Sequence, residues 1–139
     1  MPNAFAHIEL NTSDVARAKS FYKSLFKWKF SALPDYTMID VGKGTGGGMQ
    51  KKAIPGSPTL WLPYVEVDDV TATIDKARKL GANIQVDYMD IGDMGAIGVF
   101  LDPTGAPLGV WSQSKKRKAP QPRSAKPAKK SAAKKKSKR

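Results

Sequence analysis

The sequence predicts an α+β domain built from two βαβββ modules and followed by a disordered basic tail. Three observations carry this. The order strand, helix, strand, strand, strand is read twice along the chain. The openings of the two halves align without a gap at an offset of 55: His7 to Asp14 spans seven positions, as does Leu62 to Asp69, and Val15, Lys23 and Leu25 match Val70, Arg78 and Leu80. A repeat of this length suggests two units whose sheets pair to complete a shared core. Finally, the charge is segregated. Of the 24 Lys and Arg, 13 fall in residues 115–139, which hold no acid; the other 114 residues carry 11 basic and 12 acidic residues, a net of −1, although the whole chain is +12. The domain is therefore placed at 1–113, with modules at about 1–52 and 59–113, and the tail at 114–139.

Residues 4–11 alternate as a strand does, with His7 and Glu9 on one face and Ile8 and Leu10 on the other. Asn11-Thr-Ser-Asp14 is helix-cap chemistry, in which a short side-chain oxygen accepts from the free N–H groups of the first turn. Val15, Ala18, Tyr22, Leu25 and Phe26 then recur at helical spacing, opposite Arg17, Lys19, Ser20, Lys23 and Ser24. Residues 28–33 and 36–41 read as strands around a Pro34-Asp35 turn. The glycine-rich run 42–48 leads into a short strand near Met49, and Lys51 to Pro58 has linker composition. The second round follows. Leu60–Val67 is a strand, and Asp68-Asp69 caps a helix with Val70, Ile74, Ala77 and Leu80 as its apolar stripe. Gly81 stops that helix, because glycine takes the left-handed conformation freely. Strands at 83–88, 96–101 and 107–112 complete the module, with a loop at 90–95 and an Asp102-Pro-Thr-Gly105 turn between them.

Composition excludes several function classes. With no cysteine, disulfide scaffolds and thiolate metal sites are out, and a reducing compartment fits. No apolar run can span a bilayer, and the start lacks a secretory pattern, so a cytoplasmic protein with no membrane partner is expected. The run 42–48 does not end in Gly-Lys-Ser/Thr or open a helix, so it is a rim turn and not a phosphate loop. One histidine, no cysteine and no Gly-x-Ser-x-Gly elbow leave no nucleophilic triad.

Four stretches carry a family resemblance: His-Ile-Glu-Leu with Asp-Val-Ala-Arg-Ala-Lys-Ser-Phe-Tyr (7–22), Tyr-Val-Glu-Val-Asp-Asp-Val (64–70), Lys-Ala-Arg-Lys-Leu-Gly-Ala (76–82), and Val-Phe-Leu-Asp-Pro-Thr-Gly-Ala-Pro-Leu-Gly-Val-Trp (99–111). Through them the chain resembles the vicinal oxygen chelate superfamily, which includes glyoxalase I, extradiol dioxygenases and bleomycin-resistance proteins. The resemblance covers roughly residues 4–113. It implies a curved sheet whose cup holds the ligand, and a homodimer. In metal-using members one ligand stands at the position of His7, and others at about 47–49, at Leu62 and at Gly109. Three of those four places carry no metal-binding side chain here, whereas a catalytic divalent metal usually takes about three protein ligands. No metal or other cofactor is therefore expected.

His7 and Glu9 are the candidate catalytic residues, since both can exchange protons near neutrality or mild acidity. Strand parity joined to the resemblance gives the candidate ligand-binding set His7, Glu9, Leu62, Tyr64, Glu66, Gly109 and Trp111. Trp61 is expected to face the helices or a partner subunit. Tyr36 and Phe100 read as core aromatics. The tail cations Lys115, Lys116, Arg117, Lys118, Lys129, Lys130, Lys134, Lys135 and Lys136 suit non-specific attachment to nucleic acid or another polyanion through counterion release. Without aromatics in the tail for stacking, no base specificity is expected. Such a tail resembles those of linker histones and nucleoid proteins, and in a eukaryotic cell it would read as a nuclear signal. Three readings follow. The first is a metal-free small-molecule binder similar to the bleomycin-resistance branch. The second is a glyoxalase-related lyase, isomerase or dioxygenase using His7 with a carboxylate or atypical ligands. The third is a polyanion-binding protein with the domain as a dimerising platform. The ligand itself is not named by the sequence.

Overall fold

A computed structural model describes residues 2–114. The tail cations named above lie outside the described residues. The first module is β1 (Phe5–Thr12), α1 (Val15–Leu25), β2 (Lys29–Leu33), β3 (Tyr36–Asp40) and β4 (Gly47–Lys51). The second is β5 (Leu60–Glu66), α2 (Val70–Lys79), β6 (Asn83–Asp90), β7 (Ala96–Leu101) and β8 (Pro107–Ser112), with one 3-10 turn at Gly92–Met94. The mixed α+β architecture is thus as expected, and β1/β5 and α1/α2 begin at the offset of 55 found in the sequence.

All eight strands form one curved sheet in the order β2-β3-β4-β1-β5-β8-β7-β6. Each module repeats the same pairing: its first strand is parallel to its last (β1 with β4, β5 with β8), and its middle strands extend outward antiparallel. The modules join where β1 meets β5 antiparallel, His7 opposite Tyr64 and Glu9 opposite Leu62. The register shifts between Phe5 and His7, a bulge that brings Ala6 and His7 together onto the wall of one cavity.

The helices form because both N-caps are satisfied. The Asp14 carboxylate accepts from the Arg17 N–H at 3.0 Å, and that of Asp69 from the Ala72 N–H at 2.9 Å. α2 ends on Gly81 at φ +100°, where Ala82 N–H reaches Ala77 C=O and Gly81 N–H reaches Arg78 C=O. α1 ends differently, on an extended Phe26. Each helix covers one core cluster on the same side of the sheet. Leu10, Ile39 and Met49 pack with Tyr22, Trp28 and Trp61 of the first module's side. Val70, Ile74, Ala96 and Val110 pack with Ile84 and Phe100 in the second. Trp61 faces the helices as expected. Its indole N–H donates to the Tyr22 hydroxyl at 3.3 Å.

Three expectations are corrected. Leu80 does not extend the buried stripe of α2: it is the C-cap, past the last turn packed on the sheet, and is 69 % exposed. Leu25, its counterpart in α1, is exposed as well. The loop expected at 90–95 is shorter, because β6 runs on to Asp90 through two register shifts. No helix among the described residues is long and apolar enough to cross a membrane.

Candidate functional site

Alternation sends Leu10, Ile39 and Met49 to the helices and their neighbours to the opposite face of the sheet. That face holds a cavity of about 690 Å³. The first module supplies His7, Glu9, Leu33, Pro34, Asp35, Tyr36, Met38 and Gln50 to its walls. The second supplies Tyr64, Met89, Ile91, Met94, Ile97 and Trp111. A single chain thus furnishes both sides of the cup.

Its polar part is one network centred on Glu9. The Tyr36 hydroxyl donates to Glu9 Oε2 at 3.0 Å, and the Tyr64 hydroxyl to Oε1 at 3.2 Å. Asn11 and Gln50 amides donate to Oε1 at 3.2 and 3.4 Å. The residue is only 8 % exposed. His7 Nε2 lies 2.7 Å from the Tyr36 oxygen. Since that hydroxyl gives its hydrogen to Glu9, it accepts from His7, which assigns the ring proton to Nε2 and leaves Nδ1 as an acceptor. The imidazole also stacks on Tyr36, with ring centres 6.2 Å apart, and meets Tyr64 edge-on at 6.1 Å.

These contacts set the protonation states. Burial lowers the His7 pKa below 6.5, and the nearby Glu9 charge opposes that only in part. Tyr36 and Tyr64 are pushed well above 10, first by burial and then by the Glu9 charge and the hydrogen bonds they donate to it. At neutral pH both phenols are held as donors.

Two glycines make room for the two tyrosines. A Cβ added at Gly48 would overlap the Tyr36 ring, and one at Gly109 would overlap the Tyr64 ring. Gly48 and Gly109 occupy equivalent places on β4 and β8, the last strands of their modules. So at two of the positions where the resemblance places metal ligands, a phenol ring lies over bare backbone. At the third, Leu62 is buried beside Glu9. Among the described residues no three His, Cys, Asp or Glu are grouped to hold a metal ion.

Of the expected ligand-binding set, His7, Glu9, Tyr64 and Trp111 line the cavity. Leu62 and Gly109 sit next to it but form no part of its wall, Gly109 because Tyr64 covers it. Glu66 ends β5 in solvent. Tyr36 lines the cup instead of serving the core. Gln50, Met38, Met89, Met94 and Ile97 were not anticipated there; the sequence signal for Gln50 was its alternation with the glycines of β4.

The mixed α+β fold with its curved eight-stranded sheet agrees with comparisons to known proteins. The model of the glyoxalase/bleomycin resistance protein/dioxygenase superfamily matches residues 4–110. The chain belongs to this superfamily. Among curated relatives, CFP32 of Mycobacterium bovis, whose name assigns it provisionally to the glyoxylases, is 35% identical over 117 residues, covering 78% of this chain and 45% of its own length. The anthracycline biosynthesis protein DnrV of Streptomyces peucetius is 27% identical over 129 residues, covering 79% of this chain and 47% of its own. This chain therefore spans under half the length of each. Among solved structures, a superfamily member from Vibrio splendidus aligns with a TM-score of 0.57 at 14% identity, over 80% of this chain and 99% of that one. Methylmalonyl-CoA epimerase from Mycobacterium tuberculosis aligns with a TM-score of 0.57 at 12% identity, over 78% and 86%. These two likenesses concern the fold alone.

Proposed function

We propose that this domain binds a small organic molecule in the cup and does so without a metal. The observation that carries the reading is a hydrogen-bonded polar cluster around the buried Glu9, set in the wall of a mostly apolar cavity. Sites of this make-up, a few hundred to about 1,000 Å³ with a few convergent polar groups, suit compact organic ligands. Metal independence is supported by the two tyrosines standing over Gly48 and Gly109 and by Leu62, which together leave His7 and Glu9 as the only donors of the usual kind in the family's ligand region. The test is native mass spectrometry of the purified protein, with extraction of whatever it carries and elemental analysis in parallel. An organic molecule at one per chain with no stoichiometric metal is the expected result. A divalent metal at one per chain overturns the metal-free half of the reading.

A second reading has one observation in its favour. The chain from His7 Nε2–H through the Tyr36 hydroxyl to Glu9 is continuous, so a proton taken up at Nδ1 could be balanced by release toward the carboxylate. That is the arrangement a proton-transfer enzyme needs, and the name of CFP32 points the same way. Solvent deuterium exchange into the bound molecule, lost in His7→Gln, would support it. The 13 cations of residues 115–139 support non-specific polyanion binding beside the cup's function.

A further inference from the structure

Resting on the reading of the cup as a ligand site, we infer that its ligand is an organic cation with a flat or apolar body, seated with its positive group toward Glu9. The argument is one of charge. Glu9 is a carboxylate more than nine-tenths buried, yet no Lys or Arg of the described residues lies within 4.0 Å of it. All its protein partners are neutral: two phenols and two amides. Four hydrogen bonds hold the carboxylate in place, but none brings a counter-charge, and a buried charge without one is costly. A second carboxylate, Asp35, stands on the wall beside Tyr36, while among the described residues no Lys or Arg lines the cavity. The described residues hold 11 Lys and Arg, and none of them lies on this wall.

The aromatic rings point the same way. Tyr36 and Tyr64 border Glu9, and Trp111 stands on the same cavity wall, its indole fixed by an N–H bond to the Met94 carbonyl at 2.7 Å. Aromatic faces attract cations through their quadrupoles, most strongly where water is excluded. A held ring also loses little freedom on binding. Glu9 Oε2 accepts only from Tyr36, whereas Oε1 is already crowded by three donors, so Oε2 is the atom that a ligand N–H or quaternary group would approach.

The test compares two probes of one shape on the full chain, freed of nucleic acid: N-methylacridinium, permanently charged, and acridine, neutral at pH 8. Fluorescence titration is expected to show the cation binding at least tenfold more tightly. Glu9→Gln keeps the side chain's shape and one of its two acceptor oxygens while removing the charge, and should remove most of that preference. Asp35→Asn, on an exposed turn at φ +57° that asparagine also accepts, should fold normally and lower the preference a few-fold. Equal binding of both probes, or tighter binding of acridine, overturns the cation while leaving the cup a ligand site. Binding of neither probe, in wild type or variants, overturns both.

Discussion

At the scale of single residues, Tyr36 and His7 are where the site's chemistry is most exposed to test. The Tyr36 hydroxyl serves two neighbours at once. Tyr36→Phe leaves the half-buried His7 N–H and one oxygen of the buried Glu9 each short of a partner, so urea unfolding should show a loss of roughly 1–3 kcal/mol. His7 makes stability depend on pH with a definite sign. Its pKa is lower folded than the ordinary 6.5, so the unfolded chain binds more protons below that value. Its contribution is full above about pH 6.5 and falls as pH drops from there toward the folded pKa. Thermal melts across that window should flatten in His7→Gln, and NMR of the imidazole should show a midpoint below 6.5. The two phenols have the opposite sense. They favour the folded state up to about pH 10, and stability falls above it, because only the unfolded chain can then release their protons. Ultraviolet absorbance should show both staying un-ionised until the chain unfolds.

At the scale of elements, the close approach of strand backbone to tyrosine ring is the feature to probe. Gly48→Ala and Gly109→Ala each force a ring away from Glu9, and overpacking of this kind costs roughly 1–3 kcal/mol. The coupling can be separated from a general effect on the strand. In a Tyr36→Ala background the Gly48→Ala change should cost little more, since the clash is gone, and the two costs should fail to add. Gly47→Ala differs in kind, because its Cβ would meet the Ile8 carbonyl in the β1–β4 pairing, and no side-chain trimming can relieve that. The elements themselves were largely legible. Caps at Asp14 and Asp69, the glycine after α2 and strand alternation are local signals, and they placed eight strands and two helices. The family resemblance, carried along the strands by parity, also pointed to His7 and Glu9 on β1, Tyr64 on β5 and Trp111 on β8, and these four line the cavity. Tyr36 was taken for core because alternation does not say which face of β3 meets a helix; only pairing with β4 decides that. Met89 on the far wall follows two register shifts in β6, each of which turns the following side chains over, and Met94 sits on the short 3-10 turn beyond. Such shifts leave no mark in the hydrophobic pattern. Glu66 had the right parity but is the last residue of β5, and its side chain is exposed.

At the scale of the whole molecule, one sheet joins two modules into a cup, and the remaining charge lies in a separate stretch of chain. Residues 1–114 are near neutral, at a net of −1, and among the described residues no Lys or Arg lines the cavity. The proposed nucleic-acid attachment assigns the contact to residues 115–139, where 13 of the 24 cations lie. The mechanism fixes what the measurement should look like. Cations that neutralise phosphates release condensed counterions, so the logarithm of affinity falls linearly with the logarithm of salt, by roughly 0.9 per phosphate on duplex DNA. With 13 cations available, a slope of several is expected, with little difference between DNA sequences. A chain stopped after Ser114 should lose retention on DNA while keeping its melting temperature and its cup. Both forms binding alike, or full-length binding indifferent to salt, would place the contact on the folded body instead. The same pair of proteins tests independence of the two parts: affinity for the acridinium probe should be unchanged by removing the tail, because the cup's selectivity is proposed to rest on a buried carboxylate, and charges separated by solvent are screened over about 8–10 Å at ordinary ionic strength.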